Sequence, residues 1–220
     1  MTRLYFTTRL LKPLAAVAAL GPAAWLALAA LGKVDFGPDP IKTIQVTTGL
    51  STLVLLLCTL AVTPLRKYAH WSELIRLRRM LGLFAFFYVL LHAVTYFVFD
   101  QSLDPGLIWA DTVKHPRIAV GFAAFVMLIP LAVTSTDAML RRLGKRWVRL
   151  HRLIYFATAL GVLHYLMVQK LDIRKGLVYG VVFIGLMLLR VPGFVQRAWG
   201  NRARGAGNRE GDRSLARGEG

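Results

Sequence analysis

Residues 143–169 read LGKRWVRLHRLIYFATALGVLHYLMVQ. Four cations crowd the first ten residues, an almost wholly apolar run follows, and two histidines, His151 and His164, stand thirteen residues apart. A span needs about 20 apolar residues, and in lipid the backbone must satisfy its own hydrogen bonds, which such a run does only as a helix. Imidazole is costly in hydrocarbon, and polar residues within a span face the bundle interior and find partners there. What these histidines hold decides how the rest of the chain is read.

Outward from this stretch, the chain repeats the same pattern. Of 220 residues, 56% are hydrophobic and the mean hydropathy is +0.52, more apolar than a soluble domain at about 45–50%. Apolar segments fall at Leu14–Leu31, Ile44–Val62, Leu81–Phe99, Ile118–Thr134, Leu150–Val168 and Gly176–Leu189. They predict an all-α polytopic bundle of six transmembrane helices, the last of them short. The first segment, with its basic start and Ala-rich end, has the look of a secretory signal. Its length and the five segments behind it favour a retained helix. The expected organisation is a cytoplasmic N-terminus over 1–13, a transmembrane domain over 14–192 and a tail over 193–220.

The formal charge of +17 is confined to the ends of these segments. With the N-terminus in the cytoplasm, residues 1–13, 63–80, 135–152 and 190–220 carry three, five, six and seven Lys/Arg. The opposite loops 32–43, 100–117 and 169–175 carry two, two and three. That bias predicts a multi-pass inner-membrane protein with both termini cytoplasmic. It accounts for the charge without nucleic acid. The Arg/Gly-rich tail GNRARGAGNREGDRSLARGEG reads as disordered, available to anionic lipid of the bilayer. The single cysteine, Cys58, lies in an apolar run and excludes a Cys-based zinc or iron–sulfur site. No pair of carboxylates lies within an apolar segment, which weakens a proton-coupled transporter.

His70 and His115 fall in loops. His92 interrupts LFAFFYVLLHAVTYFVF in the third segment, about 16 Å in at 1.5 Å per residue. His164 lies roughly 21 Å into the fifth. Both segments start from the same side, so the two imidazoles share a depth. One such histidine is readily explained by a bond to a neighbouring helix. Two at matched depth favour a shared ligand. Zinc would want three or four ligands. Haem needs two axial positions and otherwise apolar walls, which Phe84, Phe86, Phe87, Tyr88, Tyr96, Phe97, Tyr155, Phe156 and Tyr165 can supply or which are ordinary packing. No CxxCH occurs, so the expectation is non-covalent haem b, its iron held axially by His92 and His164.

His151 lies about 20 Å from His164 along a helix and some 140° around it. A second haem or the electron-donor site there are both open. At equal depth on the third segment stands Arg78, which cannot ligate iron. A small histidine-dependent transporter or channel, and a cofactor-free membrane anchor, are the rival readings.

The blocks RRMLGLFAFFYVLLH (78–92), HPRIAVGF (115–122) and TSTDAMLRRLGKRWVRLHRLIYFATALGVLHY (134–165) resemble the MsrQ (YedZ) family, haem-binding membrane subunits within the wider ferric-reductase-like transmembrane group. The resemblance covers nearly the whole chain outside the tail. It implies b-type haem and also FMN, with the family's important histidines falling on His92, His151 and His164. It implies electron transfer from quinone or a cytoplasmic flavin reductase to a periplasmic molybdenum-cofactor MsrP-type reductase that repairs methionine sulfoxide. The wider group often carries two histidines on each of two helices, and this chain has one on the third. No GxGxxG fingerprint is present, so the chain reads as an electron-transfer subunit rather than a complete enzyme.

Overall fold

The structure, a computed structural model, describes residues 3–169 and 173–190. All regular structure among the described residues is helical. Among the described residues, five helical stretches are long and apolar enough to cross a membrane: α1 (Thr7–Ala30), α2 (Pro40–Tyr68), α3 (Ser72–Asp100), α5 (Pro116–Val133) and Lys145–Val168. The last divides at a turn into α7 (Lys145–Leu150) and α8 (Leu153–Val168). Shorter helices are α4 (Pro105–Lys114), α6 (Asp137–Leu143) and α9 (Ile173–Leu188). The predicted sixth span is α9, whose 16 residues make about 24 Å of helix, short of the roughly 30 Å hydrocarbon core. The described residues up to Phe183 form one compact unit. The predicted tail lies outside the described residues.

The helix starts are written locally. Pro40, Pro105 and Pro116 occupy first-turn positions, where a missing N–H costs nothing. Asp39 caps α2 by accepting from the Lys42 amide, Asp104 caps α4 through Gly106 and Leu107, and Thr136 caps α6 through Met139. The observed spans overrun the apolar segments because hydropathy marks only the part meant for lipid. α3 begins nine residues earlier than expected, through Arg76, Arg78 and Arg79.

Two pairs of helices make the frame. α2 packs along α3, and α5 packs along α8. Contacts of α3 with α5 and of α2 with α8 close the four into a ring. Leu53, Leu56, Leu60, Ala85, Leu128, Ala157 and Val162 are buried between them, while Val17, Phe156 and Val181 point outward, as lipid-facing positions do. Five threonine hydroxyls are satisfied within their own helices: Thr48, Thr52, Thr59, Thr95 and Thr158 each donate to the carbonyl four residues back. α1 is tied to α3 at two levels. The Trp71 indole donates to the Thr7 hydroxyl at 2.9 Å. Deeper, the fully buried Tyr88 hydroxyl donates to the Ala19 carbonyl at 2.6 Å and accepts from the Ala23 amide at 3.0 Å. It is spliced into the α1 backbone beside Pro22, where the helix ladder is already loosened.

Candidate functional site

Between the four helices lies a partly open cavity of about 500 Å³, within the range of sites for cofactor-sized molecules. His92 from α3 and His164 from α8 both line it, their ring centroids 6.2 Å apart and their planes at 80°. The matched depth expected from the sequence is therefore a direct pairing in space.

Each ring is held the same way. His92 Nδ1 donates to the Gln45 carbonyl on α2 at 3.0 Å, and His164 Nδ1 donates to the Arg117 carbonyl on α5 at 2.7 Å. A carbonyl only accepts, so each Nδ1 carries the hydrogen and the lone pair stays on Nε2. Metal-ligating histidines are oriented by this kind of outer bond. A metal–imidazole bond runs about 2 Å, so an ion shared by His92 and His164 would need their ring centroids more than about 4 Å apart. The observed 6.2 Å suits one ion between the two rings. Among the described residues no group of three or more His, Cys, Asp or Glu is placed to hold a metal. The pair thus suits an ion whose other positions are filled by its own macrocycle, as in haem.

The walls differ from the expectation. Of the aromatics named from the sequence, Tyr96, Phe97 and Tyr165 line the cavity, joined by Phe122 and Phe125 of α5. Tyr88 instead serves α1, and Phe87 and Phe156 are exposed. In a helix that is apolar all round, composition does not say which aromatics turn inward.

One end of the cavity is polar. Asp100 accepts from the Gln45 side chain. Asp111, on α4, accepts from Tyr96 at 2.8 Å and Gln101 at 2.9 Å, and pairs with His115 Nδ1 at 2.7 Å. Burial works to raise the Asp111 carboxyl, but the hydrogen bonds from Tyr96 and His115 and the charges of His115 and Arg117 together hold it below its usual value. This network was not foreseen. Residues 100–117 read as a loop, with His115 in it. The Asp-Pro helix start at 104–105 and the spacing of Ile108, Asp111, Thr112 and His115 on one face were the available signals.

His151 is not brought to this cavity. It sits in the turn between α7 and α8, stacked on Trp147 with centroids 3.7 Å apart, and its Nδ1 donates to the Trp147 carbonyl at 3.2 Å. The Trp147 indole is itself pinned to the Thr134 carbonyl at 2.9 Å. The straight helix on which His151 and His164 would diverge by about 140° is thus broken at His151. Arg78 is close enough to act on the ring electrostatically, as their equal depth suggested.

The profile of a family described as "Ferric reductase like transmembrane component" matches residues 48–162, the interval from the middle of α2 to the middle of α8. Curated relatives extend the likeness. A Herminiimonas arsenicoxydans protein named "Protein-methionine-sulfoxide reductase heme-binding subunit MsrQ" is 50% identical over 83% of this chain and 84% of its own length. Proteins of the same name from Rhodospirillum rubrum and Ralstonia nicotianae are 46% identical over 85% of this chain and 90% of the relative, and 50% identical over 76% and 79%. The chain belongs to the ferric-reductase-like transmembrane family and, within it, to the MsrQ family.

Proposed function

We propose that the chain is a haem b-binding subunit that carries electrons across the inner membrane to a periplasmic MsrP-type molybdenum-cofactor reductase, which repairs methionine sulfoxide in proteins. The observation that carries this reading is the His92–His164 pair, 6.2 Å between centroids with each Nδ1 committed to a backbone carbonyl. The names of the relatives support it, since each is called a haem-binding subunit of a protein-methionine-sulfoxide reductase.

When bound, haem supplies reversible one-electron exchange at its iron. The chain's residues supply the rest. His92 and His164 present Nε2 lone pairs, while Phe97, Phe122 and Phe125 exclude water. By the Lys/Arg distribution, the polar end of the cavity faces the periplasm. There Tyr96, Asp111 and Arg117 line it, the last two belonging to segment 100–117, on which the acceptor docks together with segment 169–175, whose residues 170–172 lie outside the described residues. His151 and Arg78 stand towards the cytoplasmic end, about 20 Å from His164 by helix rise. That end is either the donor site, where quinol or a cytoplasmic flavin reductase delivers electrons, or the place where a second cofactor would be held.

The test is transmembrane electron transfer in vesicles holding oriented, purified protein. A quinol in the membrane should reduce an impermeant oxidant on the periplasmic-facing side, and H164A should abolish this. A colourless, iron-free preparation that still supports the partner's turnover would overturn the proposal.

A further inference from the structure

The two histidine cradles share one construction. The acceptor carbonyl precedes its histidine by 47 positions in both cases. Four residues after each carbonyl, one helical turn on, stands a glycine: Gly49 after Gln45 and Gly121 after Arg117. A Cβ built on Gly49 would meet His92 Cε1 and Nδ1 at 3.2 Å, and one on Gly121 would meet His164 Nδ1 at 2.7 Å and Cε1 at 2.8 Å. Neither glycine is needed for its backbone conformation, since both sit inside helices, where glycine costs about 0.5–1 kcal/mol relative to alanine. Something other than their own backbone conformation accounts for them.

The reason lies in helix geometry one turn away. The Cα–Cβ bond of a helical residue tilts towards the helix N-terminus, so a side chain at position i+4 overhangs the carbonyl at position i. With glycine there, the carbonyl is open to a donor from a neighbouring helix while it still accepts its own helix bond. An imidazole can then lie flat along one turn of backbone, with Nδ1 on the carbonyl and the ring edge over the glycine Cα.

We infer that Gly49 and Gly121 are positioning residues for His92 and His164, setting the direction in which each Nε2 is presented to the cavity. The inference rests on the reading of these imidazoles as the axial pair for haem, and concerns how the chain aims them. The two positions are not equal. At Gly121 an added methyl forces the His164 ring to move. At Gly49 it demands a shift of a few tenths of an ångström from His92.

The experiment substitutes alanine at Gly49 and at Gly121, with H92A and H164A beside them. Gly82 and Gly180 serve as controls, because a Cβ there meets only Thr59 or Val162 at an ordinary 3.9 Å. The readouts are haem per protein, the low-spin ferric resonance of the oxidised protein and the midpoint potential. G121A should lose more than half of the low-spin signal. G49A should keep its haem, with shifted resonance positions and potential. G82A and G180A should match the wild type. G49A, the milder change, stays informative if G121A does not fold. Wild-type resonance and potential in both G49A and G121A, where H92A and H164A bleach, would overturn the inference alone. Haem retained unchanged in H92A and H164A would instead overturn the ligand reading beneath it.

Discussion

The Tyr88 hydroxyl bridges two backbone groups of α1, donating to the Ala19 carbonyl and accepting from the Ala23 amide. Removing it takes a hydrogen-bond partner from each of these two backbone groups. Since an unsatisfied buried group costs about 1–3 kcal/mol, Y88F should lower the thermal unfolding midpoint in detergent. Its haem spectrum should stay unchanged, because Tyr88 does not line the cavity. A wild-type midpoint would show that the bridge contributes nothing. The same logic separates the histidines. His92 and His164 have Nδ1 fixed by another helix, whereas His151 leans on its own helix through Trp147. The sequence made the first two legible because an imidazole amid apolar residues needs a reason. It could not reveal Gly49, Gly121 or the carbonyls of Gln45 and Arg117, since a carbonyl has no residue signature and glycines are common in spans.

At the scale of elements, α4 is held to the ends of α3 and α5 by Asp111, which Tyr96, Gln101 and His115 all engage. Its carboxyl is held below the usual value, so the folded state favours the charged form. The stabilisation is therefore fully present above the unfolded carboxyl's pKa, about 3.9, and is lost as pH falls through the lower folded value. D111N should destabilise the protein at neutral pH by about 1.5–3 kcal/mol, the scale of hydrogen bonds to a charged group. The gap between D111N and wild type should close as the pH is taken below about 3.9. Unfolding midpoints of both proteins across pH check this, and a gap independent of pH would show that charge plays no part. α4 escaped the sequence reading because the segment was weighed by hydropathy, which a ten-residue helix packed on polar groups does not satisfy. The long spans were legible because lipid demands one thing of them, an apolar run of fixed length. Their ends were not, because beyond the lipid the helix continues on caps and charges that hydropathy ignores.

Over the whole molecule, the α2–α3 and α5–α8 pairs each bring one histidine to a shared cavity, at the same interval from its carbonyl. The sequence foretold the all-helical membrane architecture and the meeting of His92 with His164. It did not foretell which aromatics turn inward, nor that the helix carrying His151 breaks at that residue. The first depends on rotation about a helix axis, which a uniformly apolar pattern leaves undetermined; the second is a local turn at His151 and Arg152, where no Gly or Pro marks it in the sequence. The most direct measurement of the central claim is low-temperature electron paramagnetic resonance of the purified, oxidised protein with each histidine changed to alanine in turn. Ligation by both imidazoles predicts a low-spin ferric signal from this cavity that vanishes in H92A and in H164A and survives in H151A. A signal of wild-type intensity in either H92A or H164A would contradict it.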